Sequence, residues 1–362
     1  MEIAVLGGGH GCYAAAADMA EAGHRVRFWR RDAEALAPVL SGGTIDIKDA
    51  KGRREIPIPL PTTDLAEAVT GAELILIPLP ATAQAGLFMQ LAPLLSDGQV
   101  VYLPPGTFGS YLLLKAMRDA GNSADVVSAE TGTLPWLCRK HGPAEVQISV
   151  RATRLPTGAF PARLSDHAFA TIRQAFPVIE PIADALDGAL LNAGPIIHPP
   201  LIIMNAGPLE HFEAWDIHNE GTQPSIRRTT DKLDAERVAI REAMGYGEPH
   251  FPLVNHYDDS LEEWMYGNSS HERLTDSGDW RENIELISHR YMMEDVETGL
   301  AFLVSCADHA GVDAPVGRGL LAIGGAICGR DFRETGRTLG NLGLAGKSAA
   351  DLKALLTDGL PA

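Results

Sequence analysis

The chain has 362 residues, 45% hydrophobic and 21% charged, a balance that excludes chain-wide disorder and supplies two sizeable cores. Against 30 Lys and Arg stand 47 Asp and Glu, and the formal charge of −17 disfavours an extended nucleic-acid or anionic-membrane surface while leaving room for a local basic pocket. No apolar run reaches the ~18 residues of a membrane helix. The opening MEIAVLGGGH reads as a strand entering a turn, not as a signal peptide. Cys12, Cys138, Cys306 and Cys328 form no CxxC pair, so thiols in a cytoplasmic protein are expected.

The apolar run 2–6 leads into Gly7-Gly8-Gly9-His10-Gly11-Cys12 and then an Ala-rich helix stopped at Gly23. A second strand, 24–29, follows. Strand, glycine turn, helix and strand open a dinucleotide-binding unit. Against G-x-G-x-x-G/A, Gly7 and Gly9 fill the first two positions and Cys12 the third, which sets the helix slightly farther from the strand. Gly7, Gly9, His10, Gly11 and Cys12 are the expected nucleotide contacts, with phosphate at the helix N-terminus. At the end of the second strand stand Arg30 and Arg31, where an NAD site places an acid. Two guanidinium groups suit a 2′-phosphate, so NADP is favoured over NAD; Asp32 either turns to a ribose or pairs with an arginine.

Residues 44–60 read as an inserted hairpin or irregular strands, 73–77 as a strand ending at Pro78, 81–95 as a helix, and 99–103 as a strand. Pro78 stiffens an edge beside the cofactor, and Gly106 lets the following turn approach the nicotinamide side. A helix to about 119, a strand over 126–130 ending in Glu130, and a strand over 147–153, antiparallel to its neighbours, come next. A helix after Pro161 and a brief strand near 178 complete a sheet domain at about 185. Beyond it, 196–215, 231–245, 258–265, 279–288, 293–310, 316–328 and 348–357 read as helical, with 231–240 amphipathic. The predicted fold is α/β plus all-α: a Rossmann-type dinucleotide-binding domain over 1–185, then a helical substrate and catalytic domain over 186–362. The expected active site is the cleft between them.

The helical part must supply an acid–base group and an anion grip. His198, in NAGPIIHPP, is the leading histidine, with a core or capping histidine as the bland alternative. In HRYMMEDVETGL, helical spacing puts Tyr291 and Asp295 on one face, and Arg290 faces the same cleft if the helix starts after it. Asp295 would orient His198, and Arg290 would hold a 2-keto acid carboxylate. His211 and His218 either line a pocket or sit on a half-exposed helix. Trp215, Trp264 and Tyr266 are candidate pocket walls. The histidines and cysteines have no metal-ligand spacing.

In these motifs the chain resembles the octopine/nopaline dehydrogenase family. The glycine turn, NAGPIIHPP, HRYMMEDVETGL and DFRETGRTLGNLGLAG (331–346) carry the resemblance over nearly the whole length, the last three being the distinctive ones. The resemblance implies reductive condensation of a 2-keto acid with the amino group of an amino acid, using NADH or NADPH. It implies His198 as the catalytic histidine, Asp295 as its partner, Arg290 as the carboxylate holder, and Asn192 near the substrate. Arg337 is read as a structural tie. Cys12 and Arg30 depart from the family pattern, and Arg30 moves the cofactor expectation toward NADP. The oligomeric state is left open, a homodimer among the options. The rival readings are a 2-hydroxy acid dehydrogenase using the same His, Asp and Arg without an amine, a ketopantoate-type dehydrogenase for which Lys232 or Lys347 would serve, and a non-catalytic NADP(H) sensor or scaffold.

Overall fold

The computed structural model describes residues 1–256, 266 and 281–361. The chain divides into two compact units, Met1–Ala189 with Ala354–Ala362, and Leu190–Lys353. An N-terminal Rossmann-like fold is followed by a largely helical part, as the motif order predicts. The sequence reading assigned the stretch to residue 362 to the second domain, whereas its last residues group with the first unit.

The first unit contains β1 (Glu2–Leu6), α1 (His10–Glu21), β2 (Arg25–Trp29), α2 (Ala33–Gly42), β3 (Thr44–Asp49), β4 (Gly52–Pro57), β5 (Leu60–Thr62), α3 (Leu65–Val69), β6 (Leu74–Leu76) and α4 (Ala81–Leu91). It continues with β7 (Val100–Leu103), α5 (Gly109–Asp119), β8 (Val127–Thr131), β9 (Trp136–Gly142), β10 (Glu145–Arg151), β11 (Leu155–Phe160), α6 (Ser165–Ala175), β12 (Ile179–Pro181) and α7 (Ala185–Ala189). The main sheet has eight strands in the order β12-β11-β8-β7-β6-β1-β2-β5, parallel except where β11 meets β8. Successive residues of β1 serve opposite faces: Ile3 and Val5 join the core under α1 and α6, while Ala4 and Leu6 join the core under α3, α4 and α5. That two-sided burial explains the unbroken apolar runs of β1, β6 and β7. β1 lies between β6 and β2, where the chain reverses direction across the sheet, the position at which open α/β sheets take ligands.

The inserted hairpin β3–β4 belongs to a second, four-stranded sheet in the order β4-β3-β10-β9. β10 is antiparallel to β9, as predicted, but parallel to β3. This sheet is fastened to α1 by charge. Arg54 pairs with Glu21 and with Asp49 (2.7 Å), Arg151 with Asp18 (2.7 Å) and Asp49 (2.8 Å), and Trp136 Nε1 donates to Asp18 (2.7 Å). The Arg54 bond, with Arg151 adding to it, holds the Asp49 carboxyl far below the usual carboxylate range. β9 and β11 were not anticipated. β9 (WLCRKHG) is polar and mostly half-buried, and β11 (LPTGAF) is buried at every position and shows no alternation.

The second unit contains α8 (Gly194–Met204), α9 (Ala206–His211), β13 (Trp215–Asp216), α10 (Pro224–Ala243) and β14 (Arg281–Glu282), which pairs antiparallel with β13. A π-helix (Tyr291–Leu300) runs directly into α11 (Ala301–Ala310), followed by α12 (Pro315–Cys328) and α13 (Phe332–Thr335). No helix covers 281–288, where β14 and turns replace the expected helix; the expected helix at 258–265 lies outside the described residues. α10 is less simply amphipathic than its sequence implies, because Asp234, Glu236 and Arg237 are buried. Glu236 accepts from the N–H groups of Val316 and Gly317, both at 2.9 Å, and so caps α12. Asp234 binds Arg237, which in turn donates to the carbonyls of Leu190, His250 and Phe251. Among the described residues no helix is long and apolar enough to cross a membrane.

Candidate active site

In the second unit the site begins at Asn192, whose Oδ1 accepts the N–H of Gly194 (3.0 Å) and starts α8. Pro195 follows in the first turn, where its missing N–H costs nothing. His198 therefore stands one turn into the helix. Pro199 and Pro200 come next, and α8 forgoes two i→i−4 bonds there. α8 packs very closely on the π-helix. A Cβ on Gly194 would stand 2.2 Å from Asp295 Oδ1, and one on Gly299 would stand 2.2 Å from Pro195 Cγ. Both glycines are required by that approach.

The helix carrying HRYMMEDVETGL is not α-helical, as the spacing assumed. The N–H of Ala301 reaches Val296 O, and Thr298 Oγ1 reaches Met293 O (2.9 Å), both five residues back. Such a helix turns roughly 80° per residue instead of 100°, so positions four and five apart both fall near one face. Tyr291 and Asp295 thereby share a buried face, while the exposed Arg290 precedes the helix and reaches over the Tyr291 ring. The helix starts after Arg290, as the expectation required.

His198 Nδ1 and Asp295 Oδ2 are 2.7 Å apart with both side chains nearly buried. A carboxylate accepts, so Nδ1–H donates and Nε2 is left for proton transfer; Nε2 has no hydrogen-bond partner among the described residues. Burial, with the Arg290 charge, holds the imidazole well below the usual histidine range. Burial pushes the Asp295 carboxyl up to about 7, against the opposing pull of Arg290. The pair is thus a neutral imidazole bonded to a carboxylate in mildly alkaline solution, and it takes up one proton near neutrality.

The Tyr291 ring stacks on His198 with centroids 3.8 Å apart and planes 12° from parallel. Its hydroxyl is 3.0 Å from His218 Nε2, and His289 meets the same ring edge-on at 4.5 Å. The Arg290 guanidinium carbon lies 5.4 Å from the Tyr291 centroid. His218 is not on a helix. It is held in a turn where Asp216 Oδ1 accepts from the N–H groups of His218 (3.1 Å) and Asn219 (2.9 Å). Asn205 ties that turn to α8 by accepting from Trp215 Nε1 (3.0 Å) and donating to Gly221 O (3.1 Å). His211 lies outside the cluster, exposed against Phe212. Trp215 stacks on Phe212, Tyr266 is buried, and Trp264 lies outside the described residues. The motif at 331–346 serves the same helix. Glu297 accepts from Arg330 (2.7 Å) and Thr335 (2.6 Å), and Gly336 packs where a Cβ would meet Glu297 O at 2.1 Å.

In the first unit, Gly7 takes φ +125°, a value only glycine adopts freely, and its missing side chain leaves room for Leu79 and Cys12. Gly9 caps α1 with no side-chain bond and open space where its Cβ would lie, and no acid stands in the first turn. A nucleotide pyrophosphate fits that end. Cys12 does not hold the helix off. Its Sγ tucks against Leu6 O (3.7 Å) and Pro78 O (3.6 Å), and burial pushes the thiol up to about 12. The close-packing glycine is Gly11, whose Cβ would meet Leu134 at 2.7 Å and Pro78 at 3.4 Å. His10 Nδ1 accepts the N–H of Lys140 (2.8 Å). Arg30 lies across Gly8 and donates to Tyr13 Oη (3.1 Å), while Arg31 is exposed. Asp32 caps α2 through Ala35 N–H (3.0 Å). Gly106 is required by Glu130, whose carboxylate would lie 2.4 Å from a Cβ there. Buried Glu130 accepts from the N–H groups of Phe108 (2.6 Å) and Ser110 (2.9 Å) and caps α5.

Residues 181–328 match the family described as NAD/NADP octopine/nopaline dehydrogenase, alpha-helical domain. Residues 2–106 match NAD-dependent glycerol-3-phosphate dehydrogenase N-terminus. The opine dehydrogenase of Arthrobacter sp. (strain 1C) is 29% identical over 97% of both chains. Octopine dehydrogenase in complex with NADH and agmatine superposes with a TM-score of 0.74 at 18% identity, over 100% of this chain and 99% of that one. NADP+-bound yersinopine dehydrogenase superposes at 0.63 with 15% identity, over 99% and 97%. The chain is thus similar to the opine dehydrogenases at moderate identity, with an NAD(P)-binding Rossmann-type domain.

Proposed function

We propose that this chain is a cytoplasmic NAD(P)H-dependent opine dehydrogenase, joining a 2-keto acid to the amino group of an amino acid by reductive condensation. The observation that carries the reading is the buried His198–Asp295 pair at 2.7 Å, under the charge of Arg290, inside the segment matching the octopine/nopaline family. The glycine turn and the N-terminus of α1 would hold the nucleotide, with Pro78 and Gly106 at the neighbouring strand ends. The nucleotide, when bound, supplies hydride to the carbon of the imine.

The chain's own residues do the rest. Arg290 holds the keto acid carboxylate through paired hydrogen bonds, and Asn192 lies at the substrate end of α8. Asp295 fixes the imidazole with Nδ1 protonated, so Nε2 points a lone pair at the reacting nitrogen. Nε2 takes a proton from the substrate ammonium, which frees the amine to add to the keto carbon. It returns the proton to the oxygen that leaves as water. In the reverse direction Nε2 accepts protons as the secondary amine is oxidised and hydrolysed. The Tyr291 ring, stacked on the imidazole, keeps its plane fixed through the cycle.

The ketopantoate-type alternative needs a lysine, and Lys232 is exposed on α10. The test crosses NADPH and NADH with pyruvate, 2-ketoglutarate and oxaloacetate and a set of amino acids, with products identified by mass spectrometry. An amine-dependent rate and an N-(carboxyalkyl)amino acid product are expected. Turnover of keto acid alone to a hydroxy acid would sink the reading.

A further inference from the structure

Arg30 is not the only cation at the end of β2. β9 is an edge strand of the four-stranded sheet, and it brings Lys140 Nζ to 3.9 Å from the centroid of the Tyr13 ring. The hydroxyl of the same tyrosine receives Arg30 Nη1 at 3.1 Å. Tyr13 is therefore a spacer, with one cation over its face and another at its oxygen. The placement of both is built in. Lys140 is anchored by its own N–H to His10 Nδ1 (2.8 Å), and Arg30 lies across Gly8, where a Cβ would stand 2.6 Å from Nε. Burial, and after it the charge of Arg30, lowers the Lys140 ammonium, so the two charges feel one another.

Two like charges held together favour an anion, and the described residues do not provide one. Among the described residues neither Arg30 nor Lys140 has a carboxylate within ion-pair distance, although the chain carries a net charge of −17. Nearby arginines behave differently: Arg53 pairs with Asp46 and Glu145, Arg54 with Glu21 and Asp49, and Arg151 with Asp18 and Asp49. Asp32 is spent on the α2 cap. The end of β2 is where this fold presents the adenosine ribose 2′ position, while the pyrophosphate goes to the α1 N-terminus.

We propose that Lys140, reaching in from the inserted sheet, forms with Arg30 the site that reads the 2′-phosphate of NADP(H). The second sheet is then part of the cofactor site, and the ties of its Arg54 and Arg151 to Glu21 and Asp18 of α1 set the Lys140 position. The inference rests on nucleotide binding in the reading above, but not on its amine chemistry. It is tested without substrate, by titrating the protein with NADPH and NADH and following nucleotide fluorescence. The wild-type chain is expected to bind NADPH at least about tenfold more tightly than NADH. Lys140→Gln is expected to weaken NADPH about tenfold and NADH less than twofold, with Lys140→Arg retaining most of the preference. 2′-AMP against 5′-AMP as competitors should show the same difference, and thermal melts of the variants should match the wild type. Equal weakening of both nucleotides, an unchanged NADPH affinity in Lys140→Gln, or a wild-type preference for NADH overturns the proposal. A wrong opine assignment shows up instead as a wrong product, with these affinities unaffected.

Discussion

Replacing Asp295 by Asn probes the acid–base pair most directly. The amide keeps the size of the carboxylate, and its oxygen can still accept from His198 Nδ1, so the α8–π-helix packing survives. What goes is the charge on the acceptor at 2.7 Å in a buried setting. A hydrogen bond to a charged group contributes about 1.5–3 kcal/mol, and each ~1.4 kcal/mol is tenfold in rate, so kcat/KM should fall about 10- to 100-fold. The pH profile gives a second readout. Asp295 is raised to about 7 and His198 is lowered, so the wild-type pair gains its proton as the pH falls through neutrality and Nε2 ceases to be a base. Oxidation of the opine should therefore lose rate below about pH 7. In Asp295→Asn only the depressed imidazole titrates, and the acid limb should move to lower pH. The assay is initial-rate NADP+ reduction between pH 5 and 9, with a His198→Ala, Asp295→Asn double variant no slower than His198→Ala alone. A rate within about twofold of wild type, or an unmoved acid limb, would refute the reasoning.

Tyr291→Phe keeps the ring on His198 and removes the 3.0 Å contact to His218; a loss of about three- to tenfold in kcat with the acid limb unchanged is expected from steady-state rates. Gly299→Ala puts a methyl 2.2 Å from Pro195 Cγ and should destabilise the second unit by about 1–3 kcal/mol, read as a lower midpoint in urea. Glu130→Gln leaves one of the N–H groups of Phe108 and Ser110 facing an amide donor; a loss of about 1–3 kcal/mol in the first unit, seen by the same titration, is the expected result.

The opening of the first unit is legible because each local signal agrees: two-sided burial in β1, a glycine at +125° in Gly7, and an Ala-rich helix that can lie flat on a sheet. β11 escaped notice because Pro156 and Gly158 read as loop, yet Gly158 is there for close approach: a Cβ would strike Asp184 O at 1.8 Å. The His198 and Asp295 partnership was readable from local motifs. His218 was named only as a pocket or helix residue, because the turn that aims it at Tyr291 depends on Asp216 and Asn205 and carries no motif of its own. Lys140 was hidden for the same reason, its neighbours being Tyr13 and Arg30 in the first βαβ unit. The wide winding at 291–300 was unreadable too, because apolar positions four and five apart suit it as well as an α-helix does.

That wide winding makes the stretch from Arg290 to Leu300 a ruler of fixed length. Exchanging the half-buried Met293 or Glu294 for another side chain leaves the spacing intact. Deleting a single residue would snap the coil back toward ordinary pitch and swing Asp295 away from the imidazole while Gly299 lost its seat on Pro195.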